Sequence, residues 1–395
     1  MDKKIKIAGT GCALADFLYN DIDFTSPEFK KYHTKKEGDG GLSPGKLVFT
    51  EELEKFASKK YPQIISDIAK GRQADTFNIG GPSLVSLIHA AQMLPGEKFE
   101  VNYYGISGKD ETAAKIEELL RKTPVGFSNY LPKSKKTTPF THVLSDPNFE
   151  NGNGERTFIN NIGAAWDLTP NKLPGDFFSA EIVCFGGTAL TPNIHDNLHV
   201  LLKKVKLYSG ITIVNTVYDF RNEKQNPKIP WPLGDTEKSF PNIDILIMDN
   251  EEAMRISGGS NISEMLEFFR KNTSAFIITR GPDTTLFFSK GTLFEKESGE
   301  LPVSSEVLKN IQTKKYKGDT TGCGDNFVGG VIASIAGQLR QKKKILNLKE
   351  VVVSGICSGG FACSYTGGTF FEKKAGEKKN KVDLLVKGYK NQLYE

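Results

Sequence analysis

The chain has 395 residues, 38% of them hydrophobic, a length that suits one large α/β domain with insertions and can bury a sizeable core. Its 52 Lys and Arg against 47 Asp and Glu leave a net charge of +5, too slight and too dispersed to mark a nucleic-acid binder. Five cysteines (Cys12, Cys184, Cys323, Cys357, Cys363), odd in number and without C-x-x-C spacing, argue against a disulfide framework or a structural zinc site and for a reducing compartment, the cytoplasm.

No run approaches the length of a membrane span. Met1-Asp2-Lys3-Lys4 before an apolar stretch mimics a secretory leader, but Lys6 interrupts it and Ile7–Ala15 is short and glycine-rich. In chain order, Ile5–Gly9, Val101–Gly105, Glu181–Phe185, Ile211–Val217, Ile243–Met248 and Ala275–Thr279 predict buried strands. Pro82–Leu94, Asp110–Lys122, Asn193–Val205, Glu251–Ser257, Ser263–Lys271, Cys323–Gln338 and Leu348–Ser364 predict helices. The alternation implies a mostly parallel sheet covered on both faces.

Two segments break this rhythm. Tyr19 to Arg72 is polar and lysine-rich, and Val125 to Ile162 carries the β-rich pieces Thr138–Ser145 and Arg156–Asn160 around the turn-rich Pro147–Gly154. Both leave the ends of predicted strands, so insertions at about 17–72 and 125–162 are expected to form a small β-rich lid on a single domain spanning 1–395. Asn222 to Phe240 reads as a proline-rich loop or short helix with Trp231 as its apolar anchor.

The most informative stretch is Gly318-Asp319-Thr320-Thr321-Gly322-Cys323-Gly324-Asp325-Asn326-Phe327, a polar glycine-rich turn running into an apolar helix. Such a helix start points free N–H groups and the positive end of the dipole outward, a ready anion site. Asp325, on the first turn, can take a proton from a hydroxyl while those N–H groups hold developing negative charge. Residues 319–325 resemble the D-T-x-G-A-G-D signature of the PfkB family of carbohydrate and nucleoside kinases, with Cys323 in place of the alanine.

The resemblance implies a ribokinase-like three-layer α/β/α fold with a lid, and an ATP- and Mg²⁺-dependent phosphotransferase. Asp325 would be the catalytic base, and the N–H groups of Gly322, Cys323 and Gly324 the anion hole. Gly11-x-x-x-x-Asp16 is similar to the family's first-strand pattern, whose Asp binds substrate hydroxyls; the dinucleotide-fold reading of Gly9–Leu14 is a degenerate motif match. Gly80-Gly81 resembles the family's paired glycines beside the substrate, although Val85 stands where most members carry Asn. Gly105–Asp110 resembles a G-x-x-G-x-D turn, with Asp110 as a helix cap.

Val217-x-Asp219-x-Arg221 resembles D-x-N-x-R, which makes Arg221 a substrate contact and Asp219 a departure. Asp249-Asn250-Glu251-Glu252 resembles N-x-x-E, which assigns Glu252 and Asp249 to magnesium and its waters. Thr279 and Gly281 of a T-x-G turn, Asp319, Thr320, and Gly368 of a closing Gly367-Gly368 turn are assigned to the nucleotide. Gly40–Leu47 nearly spells a P-loop, but Leu47 lacks the magnesium-binding hydroxyl and Pro44 lacks an N–H, so it reads as a lid turn. His195 and His199 share a predicted helix face, find no carboxylate partner, and read as surface or core fillers.

The expected activity is transfer of phosphate from ATP to a hydroxymethyl group of a sugar or sugar-like substrate. A nucleoside, adenosine-like, acceptor is the alternative, and a catalytically idle ligand-binding member is the second. Nucleic acid and membrane are not expected partners; a homodimer joined through the lid is.

Overall fold

Ile5-Lys6-Ile7-Ala8-Gly9 lies at the heart of a nine-stranded sheet, because its β-branched residues suit a pleat buried on both faces. The structure is a computed structural model that describes residues 3–36, 38–152, 154–316 and 318–394; Met1 and Asp2 of the leader-like segment and Asn153 of the turn-rich segment fall outside it. In chain order the strands are β1 (Ile5–Gly11), β2 (Leu14–Tyr19), β3 (Leu47–Phe49), β4 (Thr76–Gly80), β5 (Phe99–Ile106), β6 (Gly126–Leu131) and β7 (Phe140–Asp146). They continue with β8 (Glu155–Asn161), β9 (Ile182–Gly186), β10 (Ile211–Asn215), β11 (Ile245–Asp249), β12 (Ala275–Thr279), β13 (Thr285–Ser289) and β14 (Glu297–Leu301).

The large sheet has the order β14-β13-β12-β11-β10-β9-β1-β5-β6. Its strands are parallel except β13 and β14, which add to the β12 edge as an antiparallel pair that the apolar pattern does not reveal. Alternate residues feed two cores. Ile7, Cys184, Ile213 and Ile247 meet the helices Pro82–Met93, Cys323–Arg340 and Leu348–Ala362. Ala8, Val183, Val214 and Leu246 meet Leu198, Leu202, Ala253 and Phe269 on the other face. The chain moves outward from β1 to β5 and β6, then returns to build β9 to β12 on the opposite side. The switch point between β1 and β9 leaves a crevice at the strands' carboxyl ends, the usual ligand position in such sheets.

The second sheet, β3-β8-β7-β2-β4, rises from that crevice, since β2 follows β1 directly. β7 and β8 coincide with the predicted β-rich pieces. Two expectations change. β6, inside the second expected lid segment, pairs with β5 in the large sheet. Among the described residues the Tyr19–Arg72 segment adds one strand, β3, and three helices, Pro27–Lys30, Thr50–Ala57 and Tyr61–Ile68. These helices bury Leu53, Tyr61, Ile64 and Ile68 with Val48, Leu144 and Ile159 on the outer face of the small sheet. The predicted helix Asn193–Val205 is broken at Asn197 into Pro192–Asp196 and Leu198–Leu207. The C-terminal helix Glu377–Gln392, missed by the apolar pattern because it is rich in lysine, packs on Leu348–Ala362. Among the described residues no helix is long and apolar enough to cross a membrane.

Candidate active site

The Gly318–Asp325 loop opens the helix Cys323–Arg340. Gly322 caps it at φ +73°, a left-handed conformation, and a Cβ there would stand 2.5 Å from the Gly368 Cα. The loop is therefore laid directly on the Gly367-Gly368 turn. Asp319 fastens it: its Oδ1 accepts from Thr321 N at 2.9 Å and from Gly367 N at 3.4 Å. Asp319 thus holds the turn's shape, and Thr320 O accepts the Cys323 N–H at 3.3 Å. The amides of Gly322 and Gly324 have no protein acceptor among the described residues. A Cβ on Gly324 would meet nothing within 4 Å, so its absence keeps open space at the helix start. Of the three expected anion-hole donors, Gly322 and Gly324 are free and Cys323 is engaged.

Asp325 is half-buried on the first turn, and loss of hydration lifts its carboxyl to about 6. Its neighbour Asn326 is fully buried and braces the site from behind. The Asn326 amide donates to Gly322 O at 2.8 Å and Gly368 O at 2.9 Å. Its carbonyl oxygen accepts from Lys378 Nζ at 2.8 Å, a buried ammonium on the C-terminal helix. Burial lowers that lysine to about 7.

Asp16 lies on the small sheet's inner face, buried, with its carboxyl raised to about 7 by burial and then by the charges of Asp325 and Asp319. Register places it in a buried polar row with Asn78, Thr141 and Asn160. Asn160 Oδ1 has no partner among the described residues, so the row holds an unsatisfied acceptor that sequence reading did not single out. Gly80 and Gly81 are required by crowding: a Cβ on Gly80 would sit 2.2 Å from Asp16 Oδ2, and one on Gly81, at φ +98°, 2.2 Å from Cys12 O. Val85, where the family carries Asn, is buried and its Cγ2 would be 3.2 Å from a Cβ on Gly368, so it packs under the closing turn.

On the far side, β11 and β12 pair Asp249 with Thr279. Asp249 and Glu252 form a reciprocal capping box on the helix Asn250–Ser257. Glu252 Oε2 accepts from Thr216 Oγ1 at 2.6 Å and from Asp249 N at 3.0 Å. Burial, then Asp249, then Asp325 raise the Glu252 carboxyl to about 7. Gly281 turns the chain at φ +59° after β12.

Arg221 is held by an ion pair with Asp196, one arm at 2.9 Å. It lines a cleft of about 450 Å³ with Phe49, Trp166, Leu190, Tyr218 and Phe220. Leu190 joins this cleft to Cys12 and Leu14 beside Asp16. The reading of His195 without a carboxylate is corrected: Asp219 Oδ2 lies 3.5 Å from its Nε2, and both are buried. Asp219 also caps the helix Phe220–Gln225. The departure at Asp219 is thus a structural cap and histidine partner that only the folded chain reveals.

Arg156, on β8 and absent from the sequence-derived site, closes the constellation. Its Nη1 donates to Thr321 Oγ1 at 2.9 Å and reaches Asp319 Oδ2 at 3.5 Å; Nη2 reaches Thr320 Oγ1 at 3.5 Å. A second bridge joins Glu52 to Lys224, and Phe49 packs edge-on to Phe220 with ring centroids 5.6 Å apart. The small sheet is therefore seated over the crevice by contacts at both ends.

The pfkB carbohydrate kinase family model matches residues 62–374. The chain is 21% identical over 277 residues to a chloroplastic probable fructokinase-6 of Arabidopsis thaliana, a match covering 67% of this chain and 65% of that protein, just under two thirds of its length. An adenosine kinase from Schistosoma mansoni in complex with 2-fluoroadenosine superposes with a TM-score of 0.69 at 17% identity, covering 94% of this chain and 99% of that one. The ribokinase of Giardia lamblia superposes with a TM-score of 0.63 at 16% identity, covering 96% and 99%. The fold is ribokinase-like, and the chain belongs to the pfkB family of carbohydrate kinases.

Proposed function

We propose that the protein transfers the γ-phosphoryl group of ATP to a hydroxymethyl group of a sugar or sugar-like acceptor. The observation that carries this reading is the position of Asp325 on the first turn of a helix whose Gly322 and Gly324 amides have no acceptor among the described residues, within electrostatic reach of Asp16 on the lid side and Glu252 on the opposite side. A base so placed would lie between an acceptor-binding face and a phosphate-binding face.

The acceptor's hydroxyls would bind the polar row of Asp16, Asn78, Thr141 and Asn160, where a carboxylate and an unpaired amide oxygen can both accept. The reacting O–H would donate to Asp325. As its oxygen bonds to the γ-phosphorus, the proton passes to the Asp325 carboxylate and the bond to ADP breaks. A carboxyl lifted to about 6 remains a base at neutral pH and holds the proton better than an ordinary Asp. Gly322 and Gly324 N–H groups and the Arg156 guanidinium would face the charge on the moving phosphoryl group. Thr279, Gly281, Asp319, Thr320 and Gly368 would shape the nucleotide side.

Asp249 and Glu252 form a negative cluster without a cation partner in the described hydrogen bonds, and Glu252 Oε1 accepts none of them, a donor set that fits the waters of Mg²⁺. Bound to ATP, Mg²⁺ supplies neutralisation of the phosphate oxygens. The lid contacts of Arg156, Phe49 and Glu52 would exclude water, favouring the acceptor over hydrolysis.

A nucleoside acceptor is the second reading, favoured by the aromatic cleft of Phe49, Trp166, Tyr218 and Phe220 that adjoins Asp16 through Leu190. Incubation with ATP and ribose, fructose, 2-keto-3-deoxygluconate or adenosine, read as acceptor-dependent ADP release, tests both. Release with a sugar alone selects the first reading and with adenosine alone the second. Release with none of the four leaves the idle ligand-binding alternative standing.

A further inference from the structure

The anion loop departs from its family pattern at Cys323, and that thiol faces another. Cys323 Sγ lies 3.3 Å from Cys363 Sγ. Cys323 is the first residue of the helix that carries Asp325, and Cys363 caps the carboxyl end of the helix Leu348–Ala362. The backbones are close here too: a Cβ on Gly359 would stand 2.9 Å from the Cys323 carbonyl oxygen. Both thiols are partly exposed, whereas Cys12, Cys184 and Cys357 are buried. A disulfide brings its sulfurs to about 2.05 Å, so rotation of two short side chains and a small backbone shift separate the observed pair from a bond.

We propose that Cys323 and Cys363 form a redox-modification site, a dithiol that a small-molecule disulfide converts to an intramolecular cystine, disabling the anion loop. The hydrogen bond from Cys323 holds the Cys363 thiol below its ordinary range, which favours Cys363 as the attacking thiolate. Cys363 displaces one thiolate from the small disulfide and forms a mixed disulfide with the other half. Cys323, deprotonated, then attacks the Cys363 sulfur and releases the second small thiol. Two protein thiols lose two electrons and two protons, and the small disulfide gains them, leaving as two small thiols. The new bond draws the start of the Asp325 helix toward the 348–362 helix, moving the Gly322 and Gly324 amides. The functional consequence rests on the reading of this loop as the phosphoryl site; formation of the bond does not.

The test treats the full chain with oxidised glutathione, counts free thiols, maps peptides without reduction and follows ATP turnover in parallel. The five free thiols should fall to three, with one cross-linked peptide pairing Cys323 and Cys363. Turnover should drop on the order of 10²-fold, and dithiothreitol should restore both. Cys363→Ser should keep the reduced turnover and lose the oxidative drop; if that variant does not fold, the wild-type thiol count and peptide map decide. Five thiols remaining, a glutathione adduct that persists without the cross-link, or a cross-link that leaves turnover unchanged would each overturn the proposal. A cross-link in a protein without turnover on any acceptor would keep the site and refute the kinase reading instead.

Discussion

Asp325 and Asp16 are carboxylates that the fold holds at a disadvantage. Both are raised, to about 6 and about 7, mainly by burial and in Asp16 also by the other's charge. Because the folded values lie above those of an unfolded Asp, these groups stabilise the fold below the ordinary carboxylate range. That stability is lost as pH rises through about 6 and 7. Asp325→Asn should therefore melt at a higher temperature than wild type at pH 8, with the difference shrinking toward pH 4, while turnover falls about 10³–10⁴-fold. Thermal melts at the two pH values check the sign. On the same grounds kcat/KM should fall as pH drops through about 7 to 6, and Asp16→Asn should move that acid limb downward. The Asp325 loop was legible in the sequence as a helix start because one short stretch carries both its turn glycines and its first-turn carboxylate. Arg156, the His195–Asp219 pair and Lys378 behind Asn326 were not, since each depends on contacts between distant segments that no local spacing encodes.

At the scale of elements, the Gly318–Asp325 loop depends on how the start of one helix lies on a neighbouring turn. Gly322→Ala would force a left-handed φ and a clash with Gly368, costing about 1–2 kcal/mol in backbone strain alone, which a denaturant titration would detect. Gly324→Ala faces open space, so its stability should hold while ATP binding weakens, a contrast that calorimetry can read. Apolar runs located β1, β5 and β9 to β12 because strands buried on both faces leave uninterrupted hydrophobic stretches, whereas the parallel edge strand β6, less buried, was assigned to the lid. They missed β14, where Glu297, Ser298, Gly299 and Glu300 form an edge strand with little apolar content. They also extended the helix across Asn197, because the apolar spacing continues where the backbone breaks.

In the whole molecule, one sheet supplies the crevice and a second covers it. Arg156 ties the cover to the anion loop, so Arg156→Ala should lower kcat/KM by about 10²-fold while changing stability by no more than about 1 kcal/mol, its ion pair being partly exposed. The helical Tyr19–Arg72 segment backs the cover from outside; its lysine-rich sequence hid this because the apolar contacts are spread thinly among charges. Acceptor-dependent ADP release by wild type and Asp325→Asn across the sugar and adenosine panel measures most directly whether Asp325 drives phosphoryl transfer to an acceptor hydroxyl. Release by wild type with at least one acceptor is expected, and loss of that release in the folded, ATP-binding variant. Near-normal release by Asp325→Asn would contradict a role for Asp325 as the base.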